Sequence, residues 1–456
     1  MIVRIRKLPK DAPDGICLLA RDIFRRLKLS HKTRYTLHVG RLKLPAIIRP
    51  DNSSSTDMLL ARPIFNGLLL YSDARLNIWK KNRDIYLGPV VGVFVNNRYL
   101  EDIEKGCPPV SAQKHMQANE KACCLTYYFS IERINWVDNW IKGYTYIHGL
   151  NKWKYYRFAL ADVIYDRGVN FLDNEKLLVR HIRRQLDYHP KIRLINSRDY
   201  LGKWQLYNAL AKYGEIKKYL PETILYSDFA VLEDMLLRYD FVFVKASLGS
   251  RGREVISIQR LREGYEVVSH QNRYRPVLLR SKEGLKDHIE GMMGDRLYIV
   301  QQGIDLLRVN DRSMDMRVLI EKDGQGKWQA IYNQVRMARP GSTITNCSAG
   351  GDIANYSDVY PLLMEGRDHD QLPDDEKIRE ATIKIAEYIE KEFGPFGELG
   401  MDMALDDKGR LWFIEANTKP DKDPEPGLED TQGISPQFLS VLEYGKYLFL
   451  DGLAGD

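Results

Sequence analysis

Gly400-Met-Asp-Met-Ala-Leu-Asp-Asp-Lys-Gly-Arg-Leu-Trp-Phe-Ile-Glu-Ala-Asn-Thr-Lys-Pro420 narrows the choice of fold more than any other stretch of this chain. It reads as two short strands joined by a turn at Asp407-Lys-Gly409. Residues two apart on a strand share a face, so Glu415 and Asn417 project together. If the hairpin pairs as written, Asp402 lies beside them on the neighbouring strand. Two carboxylates and an amide oxygen, flanked by apolar Leu411, Phe413 and Ile414, suit one or two Mg²⁺ ions, which take hard oxygen ligands; Mn²⁺ is an acceptable substitute. A bare Asp-plus-Glu hairpin also occurs as a solvated surface, so the metal reading depends on what precedes it.

The chain has 456 residues, 44% of them apolar and 29% charged, enough for ordinary cores and about two to four domains. No apolar run approaches the ~18 residues of a membrane span. The start, Met-Ile-Val-Arg-Ile-Arg-Lys, lacks the apolar segment of a secretory signal. Cys17, Cys107, Cys123, Cys124 and Cys347 show no metal spacing and fit reduced, cytoplasmic thiols. A net charge of +6 permits an anionic ligand such as a nucleotide without demanding nucleic acid.

Three units are expected. Residues 1–78 form a small β-rich module, with strands such as Tyr35–Val39 and Leu42–Ile48 around the polar loop Asn52–Thr56. Residues 79–195 alternate strand and helix, opening on the continuous apolar run Leu87–Val95 of a buried parallel strand. Lys152–Arg157 interleaves Lys and Arg with Trp and Tyr; this could be a nucleic-acid surface, but amphipathic side chains at a sheet edge account for it better. The third unit, 196–456, includes a helix at Lys203–Lys212 with Trp204, Tyr207, Leu210 and Ala211 on one stripe. Strands are expected at Phe241–Ala246, Arg296–Gln302, Asp315–Glu321 and Gln329–Met337. The clearest helix is Asp374–Phe393, with Pro373 at its start, acids in its first turn and Gly394-Pro395 as its stop.

Between Phe241–Ala246 and the next strand lies the loop Ser247-Leu-Gly-Ser-Arg-Gly252. Glycines let backbone N–H groups approach phosphate and serines add donors. The loop lacks the Gly-Lys-Ser/Thr ending of a P-loop and no helix follows, so both the P-loop and Rossmann readings fail; an ordinary hairpin turn stays open. Lys245 closes an otherwise apolar strand. A buried ammonium is costly unless an anion meets it, so Lys245 faces a ligand phosphate or else is an edge lysine.

Taken in order, these features resemble the ATP-grasp superfamily of carboxylate–amine ligases, and most of all its endospore coat-associated YheC/YheD-like family, over about 196–450. The ordered matches are Lys203, then Lys245 with Gly249 and Gly252, then Tyr298-Ile-Val-Gln-Gln-Gly-Ile304, then Asp315-Met-Arg317, Arg336, Asn346 with Gly350-Gly351, and the hairpin. The resemblance implies an ATP-grasp fold, two α+β subdomains clasping ATP, preceded by the β-rich module and a Rossmann-like α/β domain. The lid subdomain spans about 240–302, and Arg260–Gly294, with Asn272-Arg-Tyr-Arg-Pro276, closes over nucleotide and excludes water.

By the same resemblance, Lys203 and Lys245 hold the phosphates with Ser247, Gly249, Ser250 and Gly252, and Asn346 joins the nucleotide site. Gln301, Gln302, Gly303 and Ile304 meet the adenine side through backbone groups. Superfamily members usually carry Glu where Gln302 stands, a departure at the ribose contact. Asp315 accepts from ribose hydroxyls, and Arg317 reaches a phosphate or carboxylate with its fork; a same-face salt bridge between the two is the structural alternative. Arg336 stabilises charge developing in phosphoryl transfer. Asp402, Glu415 and Asn417 clamp the metal between β and γ phosphates. Thr343-Ile-Thr345 stands where some relatives place another Arg, so the acceptor pocket differs. Thr418-Lys419 and the loop Pro420–Gly427 fall near the acceptor, a charged surface loop being the alternative for the distal half.

No Ser-His-Asp or Cys-His set stands out, and the nine histidines show no metal spacing. Positioning and electrostatics would then carry the reaction: ATP activates a small-molecule or peptide carboxylate as an acyl phosphate, an amine (or thiol) displaces phosphate, and ADP leaves. Phosphotransfer to a hydroxyl and a non-catalytic spore-coat scaffold are the alternatives. The expected location is the cytoplasm, with the mother cell or spore coat of a spore-former implied by the family. Neither nucleic acid nor membrane is an expected partner, and the oligomeric state is not readable.

Overall fold

Strands that bury every second residue, such as Arg34–Val39, have one dry face to cover. The computed structural model describes residues 1–52, 56–249, 254–269, 276–310, 312–338, 352–368, 371–422 and 429–455. Seven strands meet that need by closing a barrel in the order Ile2–Lys7, Asp57–Leu60, Ile16–Ala20, Leu42–Asp51, Arg34–Val39, Asp84–Gly88, Arg75–Lys81. Val3, Ile5, Leu19, Leu37, Ile48 and Leu76 are fully buried in its core. The boundary read at 78 falls inside Arg75–Lys81. The barrel continues to Gly88 because Asp84–Gly88 pairs in parallel with Arg34–Val39, a long-range contact that no local pattern announces.

A second sheet follows at once. Val90–Phe94, buried throughout, runs parallel to Leu125–Phe129 and Val163–Asp166, and the latter runs parallel to Arg193–Leu194. The single strand read over Leu87–Val95 is split at Gly88-Pro89, where proline has no N–H to give a ladder. Lys152–Ala159 lies outermost against Trp140–Ile147, with Tyr155 and Tyr156 exposed, as the edge reading requires. The helix Lys176–Tyr188 covers the sheet through Val179, Ile182 and Leu186.

Two further sheets hold most of the residues singled out in the sequence. The first is antiparallel, in the order Thr223–Leu225, Tyr298–Gln302, Phe241–Ala246, Val255–Leu261, Gly264–Ser269, Val277–Leu279. Helices Phe229–Tyr239 and Lys282–Met292 pack on it through Leu232, Met235, Leu236, Leu285 and Ile289. The second runs Asp352–Asn355, Trp328–Met337, Arg312–Lys322, Glu398–Leu405, Leu411–Asn417. One face is sealed by the helix Asp375–Phe393, which starts where the Asp374 carboxylate accepts from Lys377 N–H (2.9 Å) and ends at Gly394. Its Ile378, Ala381, Ile385 and Ile389 meet Met314, Met316, Val318, Val335, Met401 and Phe413. Strand alternation therefore turns Asp315, Arg317, Arg336 and Asp402 to the other face.

Candidate functional site

Strict alternation would set Leu411, Phe413, Glu415 and Asn417 all on one face, which cannot be both core and site. The structure resolves this with a β-bulge: Asp402 pairs with Glu415 but Met403 pairs with Phe413, leaving Ile414 as the extra residue. The bulge flips the phase, so Leu411 and Phe413 enter the core while Glu415 faces the cleft beside Asp402. The Tyr207 hydroxyl donates to the Ile414 carbonyl (2.5 Å) and lies 3.2 Å from the Phe413 carbonyl, satisfying the bulged backbone. Tyr207 was read only as part of an apolar stripe; nothing in the sequence marks its partner. Ala211 of that same stripe is exposed.

The helix Lys203–Leu210 begins at the site. Lys203 N–H donates to Ser247 O (2.9 Å), its Nζ donates to Gly249 O (2.9 Å), and the ammonium lies 3.7 Å from Glu415 Oε2. Asn417 Nδ2 donates to Glu415 Oε1 (3.2 Å). Lys245, on the opposing sheet, donates to Gln301 Oε1 (2.6 Å), and Gln301 Nε2 donates to Thr223 Oγ1 (2.9 Å). Burial pushes the Lys245 ammonium down to about 8, the charge of Lys203 adding to the fall and Glu415 opposing it. Among the described residues its one hydrogen-bond acceptor is a neutral amide, and no carboxylate there touches it.

Across the cleft, guanidinium and carboxylate groups form a chain. Arg317 stands directly opposite Asp402 on paired strands and binds both of its oxygens. Arg336 stands opposite Asp315 and grips it with two bonds of 2.7 Å, while its Nη2 reaches Asp402 at 3.2 Å. Burial raises the Asp402 carboxyl, yet Arg336 and Arg317 outweigh it and hold the group below the usual carboxylate range. The same-strand pairing of Asp315 with Arg317 does not occur, because antiparallel neighbours stand closer than residues two apart on one strand. Each Asp315 oxygen accepts one bond from Arg336, so any ribose hydroxyl would share the carboxylate with that guanidinium.

Strand pairing also trims the adenine edge. Gln302 N–H goes to Glu222 O (2.9 Å) and Gly303 N–H to Phe241 O (2.9 Å), so the next donor along the chain is that of Ile304. The Gln302 side-chain oxygen accepts from Glu222 N–H (3.2 Å). Gly303 sits so close to Phe241 that a Cβ would lie 2.1 Å from its ring, which makes glycine obligatory there. Lys419 pairs with Asp166 (2.8 Å) of the second sheet and donates to Gly168 O (3.0 Å), so it belongs to the joint between units. Ser250, Gly252 and Asn346 lie outside the described residues, as do most of Asn272–Pro276, Thr343–Thr345, Gly350-Gly351 and the distal loop to Gly427.

The structure thus brings Lys203, at the start of its helix, Lys245, on the first of these sheets, and Arg317, Arg336, Asp402, Glu415 and Asn417, on the second, into one connected cluster. Among solved structures the chain is similar to ATP-grasp ligase PsnB complexed with minimal precursor (12% identity, TM-score 0.46, 78% of this chain and 98% of that one). It is also similar to D-alanyl-alanine synthetase A from Vibrio cholerae (11% identity, TM-score 0.43, 81% and 98%). Both likenesses are too loose to carry an argument. Two Bacillus subtilis proteins are nearer in sequence. Endospore coat-associated protein YheD is 24% identical over 399 residues, 86% of this chain and 85% of that protein. Endospore coat-associated protein YheC is 24% identical over 315 residues, 68% and 84% respectively. Residues 191–448, more than half of the chain, match the family described as YheC/D like ATP-grasp, and the chain belongs to that family.

Proposed function

We propose that the chain is an Mg·ATP-dependent ligase that activates a carboxylate as an acyl phosphate and joins it to an amine or thiol, releasing ADP and phosphate. The observation that carries this reading is the charge of the cleft. Lys203, Lys245, Arg317 and Arg336 converge on three carboxylates, Asp315, Asp402 and Glu415, and one of those cations, Lys245, has among the described residues only an amide as hydrogen-bond acceptor. A triphosphate offsets that excess, and a water-excluded site strengthens each contact.

The donor set also fits a divalent cation. Glu415 and Asn417 offer hard oxygens side by side. A carboxylate has about four lone-pair sites; among the described residues Asp402 Oδ1 accepts only from Arg317 Nε, so it keeps capacity for a metal while its other oxygen serves both guanidiniums. Bound there, the metal supplies charge neutralisation for the phosphates. Lys203, from the start of its helix, and Lys245, from its strand, would bind and orient the phosphate chain, and Ile304 would present its N–H to the base. Arg317 and Arg336, locked by Asp402 and Asp315, hold fixed positive charge where an oxyanion develops, with no reorganisation at the moment of reaction. The two Bacillus subtilis relatives carry the name endospore coat-associated, and we extend that association to this chain as part of the proposal.

The test is ADP release from Mg·ATP across pools of carboxylates, short peptides and amines, with mass spectrometry of the products. The expected outcome is ADP, inorganic phosphate and a condensed product, all lost in Glu415→Ala while circular dichroism is unchanged. ADP with a stable phosphorylated product and no inorganic phosphate would replace ligation by phosphotransfer. Full turnover in Glu415→Ala would remove the metal site.

A further inference from the structure

The chain leaving Asn417 is held from three sides within a few residues. Asn196 Nδ2 donates to Thr418 O (2.6 Å) and Thr418 Oγ1 donates to Asp199 O (2.8 Å). Arg167 Nη2 donates to Pro420 O (2.6 Å), and Pro420 packs so tightly over Gly400 that a Cβ there would come within 2.7 Å of it. Two residues on, Lys422 is driven into the interior, its side chain only 2% exposed. Its ammonium sits between Glu321 and Glu398, both fully buried, and donates to Gln437 O of the last helix (3.0 Å). Glu398 also accepts from Arg167 Nη1 (3.0 Å) and from the Tyr165 hydroxyl (2.8 Å).

This cluster is an expensive way to fill a core. Glu321 and Glu398 are direct cross-strand partners, an arrangement in which like charges repel. Neither Glu321 oxygen has a hydrogen-bond partner among the described residues; the Lys422 ion contact is what meets it. Buried ion sets of this kind are often no more stable than apolar residues of the same volume, and their attested use is to fix one arrangement among several. What this one fixes is the exit of Leu411–Asn417, the strand that carries Glu415 and Asn417. It ties that strand to the second sheet through Arg167 and Tyr165, and to the final helix through Gln437.

We propose that Lys422 is a positioning residue: by docking between Glu321 and Glu398 it sets where Glu415 and Asn417 stand relative to Asp402 and Lys203. The proposal rests on reading that cleft as the Mg·ATP site. Lys422→Met alone leaves two buried carboxylates short of a partner and can fail to fold, so the decisive protein is the charge-balanced double variant Lys422→Met/Glu321→Gln. Two measurements are made on the full chain beside wild type. The first is hydrogen exchange without nucleotide: amides over 415–422 should exchange at least tenfold faster in the double variant, with those of Val90–Phe94 unchanged. The second is ATP binding titrated with Mg²⁺: the half-saturating Mg²⁺ should rise at least tenfold, while ATP affinity in EDTA stays within twofold. Unchanged exchange over 415–422 overturns the proposal whether or not nucleotide binds, and so does wild-type Mg²⁺ dependence in a folded double variant. Failure of wild type to bind Mg·ATP would sink the ligase reading instead, while the exchange result still decides the role of Lys422.

Discussion

Replacing Lys245 with methionine separates a ligand-facing lysine from a structural one, because only in the structural role does its loss cost much stability. Moving an ammonium from 10.5 to about 8 corresponds to roughly 3 kcal/mol at 1.36 kcal/mol per pH unit. Partial surface exposure of Lys245 screens the charge, so that figure is a ceiling. Against it, methionine strands Gln301 Oε1, which costs about 1–3 kcal/mol. The variant should therefore fold within about 1 kcal/mol of wild type at pH 7. Its advantage, where present, follows pH. Below about 8 Lys245 is charged in both states and the burial cost is fully present. Between about 8 and 10.5 the unfolded chain keeps a proton that the folded chain has shed, so wild-type stability rises and the gap closes. ATP affinity should fall by about 10- to 150-fold, the worth of one charge-assisted contact of 1.5–3 kcal/mol. Urea unfolding at pH 7 and pH 10, with calorimetry of a non-hydrolysable ATP analogue, checks both arms. A variant destabilised by about 3 kcal/mol or more, with nucleotide affinity intact, would show that Lys245 is structural and that the cleft reading is wrong.

Arg336→Met leaves Asp315 without its two bonds and Asp402 with one guanidinium fewer. Thermal melts should show a loss of about 3–5 kcal/mol, and ATP turnover should fall by about 10²-fold or more; stability lost with turnover kept would confine Arg336 to the scaffold. Deleting Ile414 removes the bulge and forces either Glu415 into the core or Phe413 out of it. Mg²⁺-dependent ATP binding should vanish along with several degrees of melting temperature, and a deletion variant that keeps both would show that the bulge does not aim the hairpin.

Much of this site was legible in sequence because its residues break a local rule. Lys245 ends an apolar strand, and Glu415 and Asn417 close another; charges in such places need a partner, and the structure supplies one cleft for all of them. The helix over Asp374–Phe393 was equally plain, since Pro373, the acidic first turn, the apolar stripe and Gly394-Pro395 agree. What escaped depends on pairing between distant segments. The barrel closes through parallel contacts such as Thr36 with Asp84, so its end at Gly88 was misplaced by ten residues. The pairing of Asp315 with Arg336 is not legible either, because Arg336 sits on another strand whose register the sequence does not state. The Ile414 bulge is silent for the same reason: period-two alternation over Leu411–Asn417 looks unbroken until Asp402 fixes the register. The sequence reading puts Lys422 in a loop near the acceptor; only Glu321 and Glu398, contributed by two other strands, explain why it is buried.

Isothermal titration of the full chain with ATP, once in Mg²⁺ and once in EDTA, decides whether the cluster is a metal-dependent nucleotide site. One site per chain is expected in Mg²⁺, with affinity at least tenfold weaker in EDTA and the Mg²⁺ effect lost in Glu415→Ala. Absence of ATP binding in Mg²⁺ by a folded protein, or equal affinity in both buffers, would contradict it.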